Sequence, residues 1–107
     1  MQRSLAHLRA DGWLVAIVEK WNAFAKIRQD AFGFGDLLAV RGDETALVQC
    51  TSAANVSHRL AKIRALPAAR VWAASPHRSL LVHGWGKQGA RGAKKTWVCR
   101  VNLVTFP

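Results

Sequence analysis

The sequence predicts a mixed α/β (α+β) chain in which helices pack against one mixed central sheet. Three observations favour this class. Two apolar segments, 36–41 and 45–51, flank the turn Gly42-Asp43-Glu44 and predict an antiparallel hairpin. The segment that follows has apolar residues at helical spacing, which allows a right-handed crossover to a later parallel strand. A length of 107 residues suits a single domain, 1–107, with a real core.

Before the hairpin, the sequence predicts a helix, a strand and a long connection. Two leucines three positions apart lie on one face of a short helix over 4–10, which Gly12 can end. The continuous apolar run 13–18 contains β-branched residues, which is typical of a strand buried on both faces in the middle of a sheet. The segment 22–35 is predicted as a connection, and connections of this length are often functional.

After the hairpin, the sequence predicts one helix and three strands. Ser52 or Asn55 can cap a helix that runs to about Leu66, just before Pro67. Three later segments are apolar enough to form strands, and their composition gives no internal repeat. The predicted strands are 70–75, 79–85 and 96–106.

The charge balance indicates an anionic partner. The chain has 16 Lys and Arg residues against six Asp and Glu residues, a net charge of +10, which favours nucleic acid or a membrane surface. The segment 87–95 carries four cations separated by Gly, Ala and Gln, so that phosphates can approach its backbone. We expect DNA contact there, with a solvated hairpin loop as the alternative. The residues expected to bind DNA are Arg59, Lys87, Arg91, Lys94 and Lys95.

Other sequence features argue against several classes of protein. No apolar run reaches the ~18 residues that a transmembrane helix needs, and the charged segment 1–12 is unlike a signal peptide. Cys50 and Cys99 are isolated and lack the spacing of a structural zinc site. We therefore expect a cytoplasmic protein with reduced thiols and no membrane partner.

Carboxylates are few, and three of them lie next to apolar segments: Glu19, Asp30 and Asp36. Asp36 opens the first strand of the hairpin, and Gln49 lies near the end of the second. Neighbouring strands are ~4.8 Å apart, so two oxygen-bearing side chains on one face can share a Mg²⁺ ion. The alternative is that Asp36 only starts a strand. For Asp30, an ion pair with Arg28 that braces the loop is favoured over a second metal site.

From Trp13 to about Trp97, the chain resembles the PD-(D/E)XK nuclease superfamily, and most closely its small phage and bacterial members related to Holliday-junction resolvases. Their restriction-endonuclease-like core is a helix, a three-strand meander, a helix and a further strand. An Asp opens the second strand, and an acid or Gln, one spacer and a Lys lie on the third. Asp36 and Gln49-Cys50-Thr51 match these positions, with Thr51 where Lys is expected.

This resemblance implies a Mg²⁺- or Mn²⁺-dependent DNA endonuclease, acting on branched DNA, in a bacterial or phage-infected cell. It implies Asp36 and Gln49 as metal ligands and the backbone carbonyl of Cys50 as a third. Glu19, at the end of the first strand, can supply a further carboxylate, whereas the superfamily often places this Glu on the first helix, which has none here. A homodimer is plausible by the same resemblance.

The absent lysine has two candidate replacements. Lys62 lies on the helix after the third strand, where the superfamily sometimes places this charge, and Lys20 follows Glu19. Because Thr51 cannot supply a cation, two other functions stay open. One is a catalytically degenerate nuclease-fold protein that binds DNA, and the other is a structural or assembly protein.

Overall fold

The computed structural model describes residues 1–106, which form a five-stranded mixed sheet, a separate two-stranded hairpin and helices on both faces of the sheet. A 3₁₀ turn, Ala53–Asn55, precedes the second helix. The helices are α1 (Gln2–Ala10), α2 (Val56–Arg64) and α3 (Pro67–Trp72). The strands are β1 (Leu14–Ile17), β2 (Lys20–Asn22), β3 (Ile27–Gln29), β4 (Leu37–Arg41), β5 (Glu44–Ser52), β6 (Arg78–Gln88) and β7 (Thr96–Leu103).

The strand order of the large sheet is β1-β4-β5-β6-β7. Strand β4 pairs antiparallel with both β1 and β5, whereas β5 and β6 are parallel and β7 returns antiparallel to β6. Helices α2 and α3 form the crossover that a parallel pair requires. The predicted mixed α/β class with one mixed sheet is confirmed, as is the β4–β5 hairpin, whose turn uses Gly42 at φ 59°.

The side chains of each strand point alternately to the two faces of the sheet, and the core therefore has two layers. Val48 packs with Leu5 and Leu8 of α1 on one face of the sheet. Its neighbour Leu47 packs with Ile63 of α2 and Ala69 of α3 on the other. Because successive strand residues point to opposite faces, Gln49 shares the α2 face with Leu47. Within residues 1–106, no helix combines the length and the apolar character needed to cross a bilayer.

The prediction of a central strand over 13–18 is wrong. Strand β1 lies at the edge of the sheet, and three of its four residues are exposed, including Leu14 at 76%. Only Val15 is buried, against the layer beneath α1. An apolar run records hydrophobicity but not the number of neighbouring strands, which long-range pairing decides.

The prediction of a strand over 70–75 is also wrong, because residues 70–72 belong to α3 and residues 73–75 form the turn that follows it. Pro67 occupies the first turn of α3, where its fixed φ favours a helix and its missing N–H costs nothing. The indole Nε1 of Trp72 then donates a hydrogen bond to the carbonyl of Ser79 (2.7 Å) and ties the helix to β6.

Two smaller predictions need correction. The segment 22–35 is predicted as a connection, but it contains β3 and the last residue of β2. Asn55 does occupy the position before α2, but its side chain makes no capping hydrogen bond. The helix begins instead as a continuation of the 3₁₀ turn.

A buried polar group joins α1 to β6 on the face opposite α2. Ser4 Oγ accepts a hydrogen bond from Trp85 Nε1 (2.7 Å) and lies 2.9 Å from His83 Nδ1. His83 is fully buried, and its Nε2 has no hydrogen-bond partner among residues 1–106. Burial, with a smaller effect of His7, lowers the pKa of His83 to about 4, so the imidazole is neutral at pH 7.

Candidate functional site

The candidate site lies at one end of the large sheet, where β1 ends, β4 begins and β5 ends. Backbone hydrogen bonds of Asp36 hold these segments together. Its carbonyl accepts from the amides of Val18 (3.0 Å) and Glu19 (3.3 Å), and its own amide donates to the carbonyl of Val48 (2.9 Å). Glu19 and Gln49 are therefore brought to Asp36 by the strand register itself.

Asp36 and Gln49 contact each other directly. Gln49 Nε2 donates a hydrogen bond to Asp36 Oδ2 (2.9 Å), and the backbone N–H of Cys50 donates to the same oxygen (2.8 Å). Both side chains are buried, with 6% of Asp36 and 4% of Gln49 exposed. Two donors on one oxygen fix the orientation of the Asp36 carboxyl group.

Two further carboxylates meet Asp36. One oxygen each of Glu19, Asp30 and Asp36 lie within 4.8 Å of one another. Asp30 reaches this position because residues 30–35 fold into a tight loop, closed by the Ala31–Gly35 bridge. The predicted brace between Asp30 and Arg28 is wrong: Arg28 pairs with Glu19 (3.7 Å), since the strand that carries Arg28 returns alongside the chain that follows Glu19.

The environment of Asp36 disfavours its charged form. Burial is the largest cause, and the hydrogen bond with Asp30 and the charges of Asp30 and Glu19 act in the same direction. The hydrogen bond from the Cys50 amide opposes them only in part, so the pKa of Asp36 rises to about 7. Asp36 therefore keeps its proton to a higher pH than an ordinary carboxyl group, and a cation bound here would displace that proton.

The three carboxylates fit a hard divalent cation. All the charged donors are oxygens, which Mg²⁺ prefers at ~2.1 Å in octahedral geometry. Two oxygens on opposite sides of such an ion are ~4.2 Å apart. The three carboxylate oxygens lie within 4.8 Å of one another, which is close to this distance. Gln49 turns its amide nitrogen to Asp36, and Cys50 contributes its N–H. Both hydrogen bonds orient the Asp36 carboxyl group, and the carbonyl oxygens of Gln49 and Cys50 stay predicted ligands.

Cations line two adjoining cavities that share Gln29 and one member of the cluster, Asp30. Arg59 and Lys62 line the first, of about 620 Å³, on the side of α2. Lys20 lines the second, of about 390 Å³. Both candidate replacements for the missing lysine thus lie near Asp30, and Lys62 faces the cavity with the more polar lining.

The basic loop between β6 and β7 extends from the same end of the sheet as the acidic cluster, because β5 and β6 are parallel. Its cations are exposed. At its base, Arg3 and Lys87 lie 3.9 and 5.3 Å from the centre of the Trp97 ring, and these two cation–π contacts hold positive charge there. The predicted DNA-binding residues here are Lys87, near the end of β6, and Arg91, Lys94 and Lys95 of the loop.

Comparisons with family models, with curated proteins and with solved structures give no match for this chain. We therefore infer its function from its own residues.

Sequence reasoning undervalued Asp30. It is 11 residues from Glu19 and six from Asp36, and only the folded loop brings the three together. A signal was present: the loop contains Gly33, at φ 84°, and Gly35, where a Cβ would lie 2.5 Å from the Leu47 side chain. Such glycines indicate a constrained path of the chain close to the sheet.

Proposed function

We propose that this chain is a divalent-metal-dependent DNA endonuclease with a site of the PD-(D/E)XK type. The observation that carries the proposal is the buried contact of Asp36 with Gln49 and the Cys50 amide, at the point where Glu19 and Asp30 converge. A buried, hydrogen-bonded carboxyl group beside two more acids is costly for stability. Such an arrangement is typical of a site that binds a cation.

The order of elements supports the same superfamily. Helix α1 is followed by the antiparallel strands β1, β4 and β5, then by the α2 crossover and the parallel strand β6. This is the helix, three-strand meander, helix and strand expected from the resemblance. The hairpin β2–β3 is an insertion between the first and second strands of that core.

The proposed roles follow from position. Asp36, Glu19 and Asp30 would hold Mg²⁺ or Mn²⁺, which when bound polarises the phosphodiester and lowers the pKa of a water molecule. Gln49 and the Cys50 amide keep the Asp36 carboxyl group oriented. Lys62 supplies positive charge for the phosphate undergoing cleavage, and Lys20 is the alternative residue for that role. Thr51, on the same face of β5 as Gln49, offers a hydroxyl group but no positive charge.

The substrate assignment depends on charge. The acidic cluster lies at the end of the sheet that also carries the basic loop, the cations of α2 and those of the β2–β3 hairpin. Together with a net charge of +10, this surface attracts a polyanion whose phosphates can reach the cluster. A homodimer remains a prediction from the resemblance.

The direct test is cleavage of supercoiled plasmid and of a four-way DNA junction by the purified protein. We expect nicking or cutting with Mg²⁺ or Mn²⁺ and none with EDTA. Salt-sensitive DNA binding without cleavage under any divalent ion would instead support the second candidate, a degenerate nuclease-fold DNA-binding protein, which the Thr51 position favours. Failure to bind DNA at about 50 mM salt would contradict both.

The basic loop should contribute to binding through phosphates. Replacing Lys94 and Lys95 with alanine is expected to weaken binding to all DNA sequences and to reduce the slope of log K against log salt by about 2. Fluorescence anisotropy between 50 and 200 mM salt measures this slope. Arg9→Ala is the control, because α1 ends near the start of β1, at the far end of the sheet. Equal slopes for the loop variant and the wild type would exclude this loop from the interface.

A further inference from the structure

The hairpin β2–β3 stands apart from the rest of the fold. It forms its own two-stranded sheet, with Lys20 paired to Gln29 and Trp21 to Arg28. Large apolar side chains on it are exposed: Trp21 at 60%, Ile27 at 50% and Phe24, at the tip, at 101%. Three large exposed apolar side chains on one short hairpin, unlike a single one, indicate an interaction surface.

The tip is an ordered turn. The side-chain Oδ1 of Asn22 accepts hydrogen bonds from the backbone amides of Phe24 (3.1 Å) and Ala25 (3.0 Å). Lys26 completes the turn with a positive φ of 56°. An asparagine that binds the amides two and three residues ahead constrains the backbone of a turn, so Phe24 is presented on a defined loop.

The chemistry of this hairpin selects its partner. Segment 20–29 contains three cations and no acid. A second copy of this chain would bring like charges together, whereas a nucleic acid offers both phosphates for the cations and base faces for the aromatic rings. The charge of the hairpin therefore favours nucleic acid.

The position of the hairpin connects it to the acidic cluster. It begins directly after Glu19 and ends directly before Asp30, two members of the cluster. Phe24 is five residues beyond Glu19, which corresponds to ~15 Å at the rise of a strand. Along one DNA strand this span covers about four to five nucleotides at 3.4 Å each.

We infer that the β2–β3 hairpin is a DNA-distorting arm, in which Phe24 stacks on or wedges against an unpaired or weakly stacked base near the scissile phosphate. The inference rests on the proposed function and refines its substrate class. Wedging a ring into intact duplex requires unstacking a base step, whereas a branch point or nick already offers an open stacking face. The arm therefore selects discontinuous or branched DNA over continuous duplex.

The test is a fluorescence titration in EDTA, where no cleavage occurs. Four-way junctions carry 2-aminopurine at single positions from one to six nucleotides from the branch, and a continuous duplex with the same label is the reference. Wild-type protein is expected to raise the fluorescence several-fold at one or two positions of the junction. Phe24→Ala should abolish the rise and weaken junction binding about 5- to 100-fold, while duplex binding changes less than twofold. Phe24→Trp should show the fluorescence rise and the junction affinity of the wild type.

Phe32→Ala is the matched control, because Phe32 is also an exposed aromatic residue (68%) but lies outside the hairpin, beside Trp72 and Val71. It should leave the fluorescence rise intact. An unchanged rise and unchanged junction affinity in Phe24→Ala would overturn the inference. Metal-dependent cleavage by that same variant would show that the proposed function survives. Phe24-dependent binding to anionic phosphatidylserine vesicles, with no junction response, would also overturn it.

Discussion

Replacing Asp36 with asparagine is expected to reduce metal-dependent DNA cleavage at least about 10²- to 10³-fold, the usual cost of removing one key electrostatic group from a catalytic site. Asparagine keeps the size of the side chain and an oxygen that can accept from the Cys50 amide. It removes the negative charge that a divalent ion needs. Loss of rate with an unchanged circular dichroism spectrum would therefore identify a functional role for this carboxylate.

Asp43→Asn is the control for this experiment, because Asp43 lies in the exposed β4–β5 turn, where its carboxylate is 3.3 Å from His77 Nδ1. Its cleavage rate should match that of the wild type. DNA binding by Asp36→Asn in EDTA should be equal or tighter, since a negative charge has been removed near the phosphates. Full cleavage activity in Asp36→Asn would rule out the proposed site.

The same substitution is expected to stabilise the protein without metal at pH 8, by an amount on the order of 2–4 kcal/mol. The pKa of Asp36 is about 7 in the folded chain and near 3.8 in the unfolded chain. Between these values the folded state holds the proton more tightly, so stability falls as pH rises from about 4 to 7 and stays low above it. Asparagine does not ionise, so the variant lacks this loss of stability with rising pH.

Urea unfolding in EDTA at several pH values measures this effect as the difference between Asp36→Asn and the wild type. Taking the difference cancels the opposite trend of His83, whose lowered pKa makes stability fall as pH decreases below about 6.5. The difference should be largest at pH 8 and disappear below about pH 4. Adding Mg²⁺ should raise the melting temperature of the wild type and leave the variant unchanged. A variant less stable than the wild type at pH 8 would contradict the account of the buried carboxyl group.

Local signals made one part of the site predictable. The turn at Gly42 separates two apolar segments, and this alone gives the β4–β5 hairpin and places Asp36 beside Gln49. The alternation of side chains then puts both on one face, as the structure has them. What the sequence does not encode locally is which end of the Gln49 amide points to the carboxylate.

Long-range contacts decided the rest. The apolar run of β1 predicts a central strand, but hydrophobicity does not report how many strands lie beside it. The composition of segment 70–75 predicts a strand, whereas Pro67 is a signal for a helix start. Asp30 joins the cluster only through a folded loop, and the β2–β3 hairpin lacks the period-2 alternation of a half-buried strand because nearly all of its residues are exposed.

Asp36, Glu19 and Asp30 are proposed to bind one divalent ion together. Anomalous diffraction from crystals soaked in Mn²⁺ tests this site. We expect a manganese peak within bonding distance of a carboxylate oxygen of Asp36 and of at least one of the other two acids in the wild type, and no peak there in Asp36→Asn. Manganese bound elsewhere, in a protein that still cleaves DNA, would contradict it.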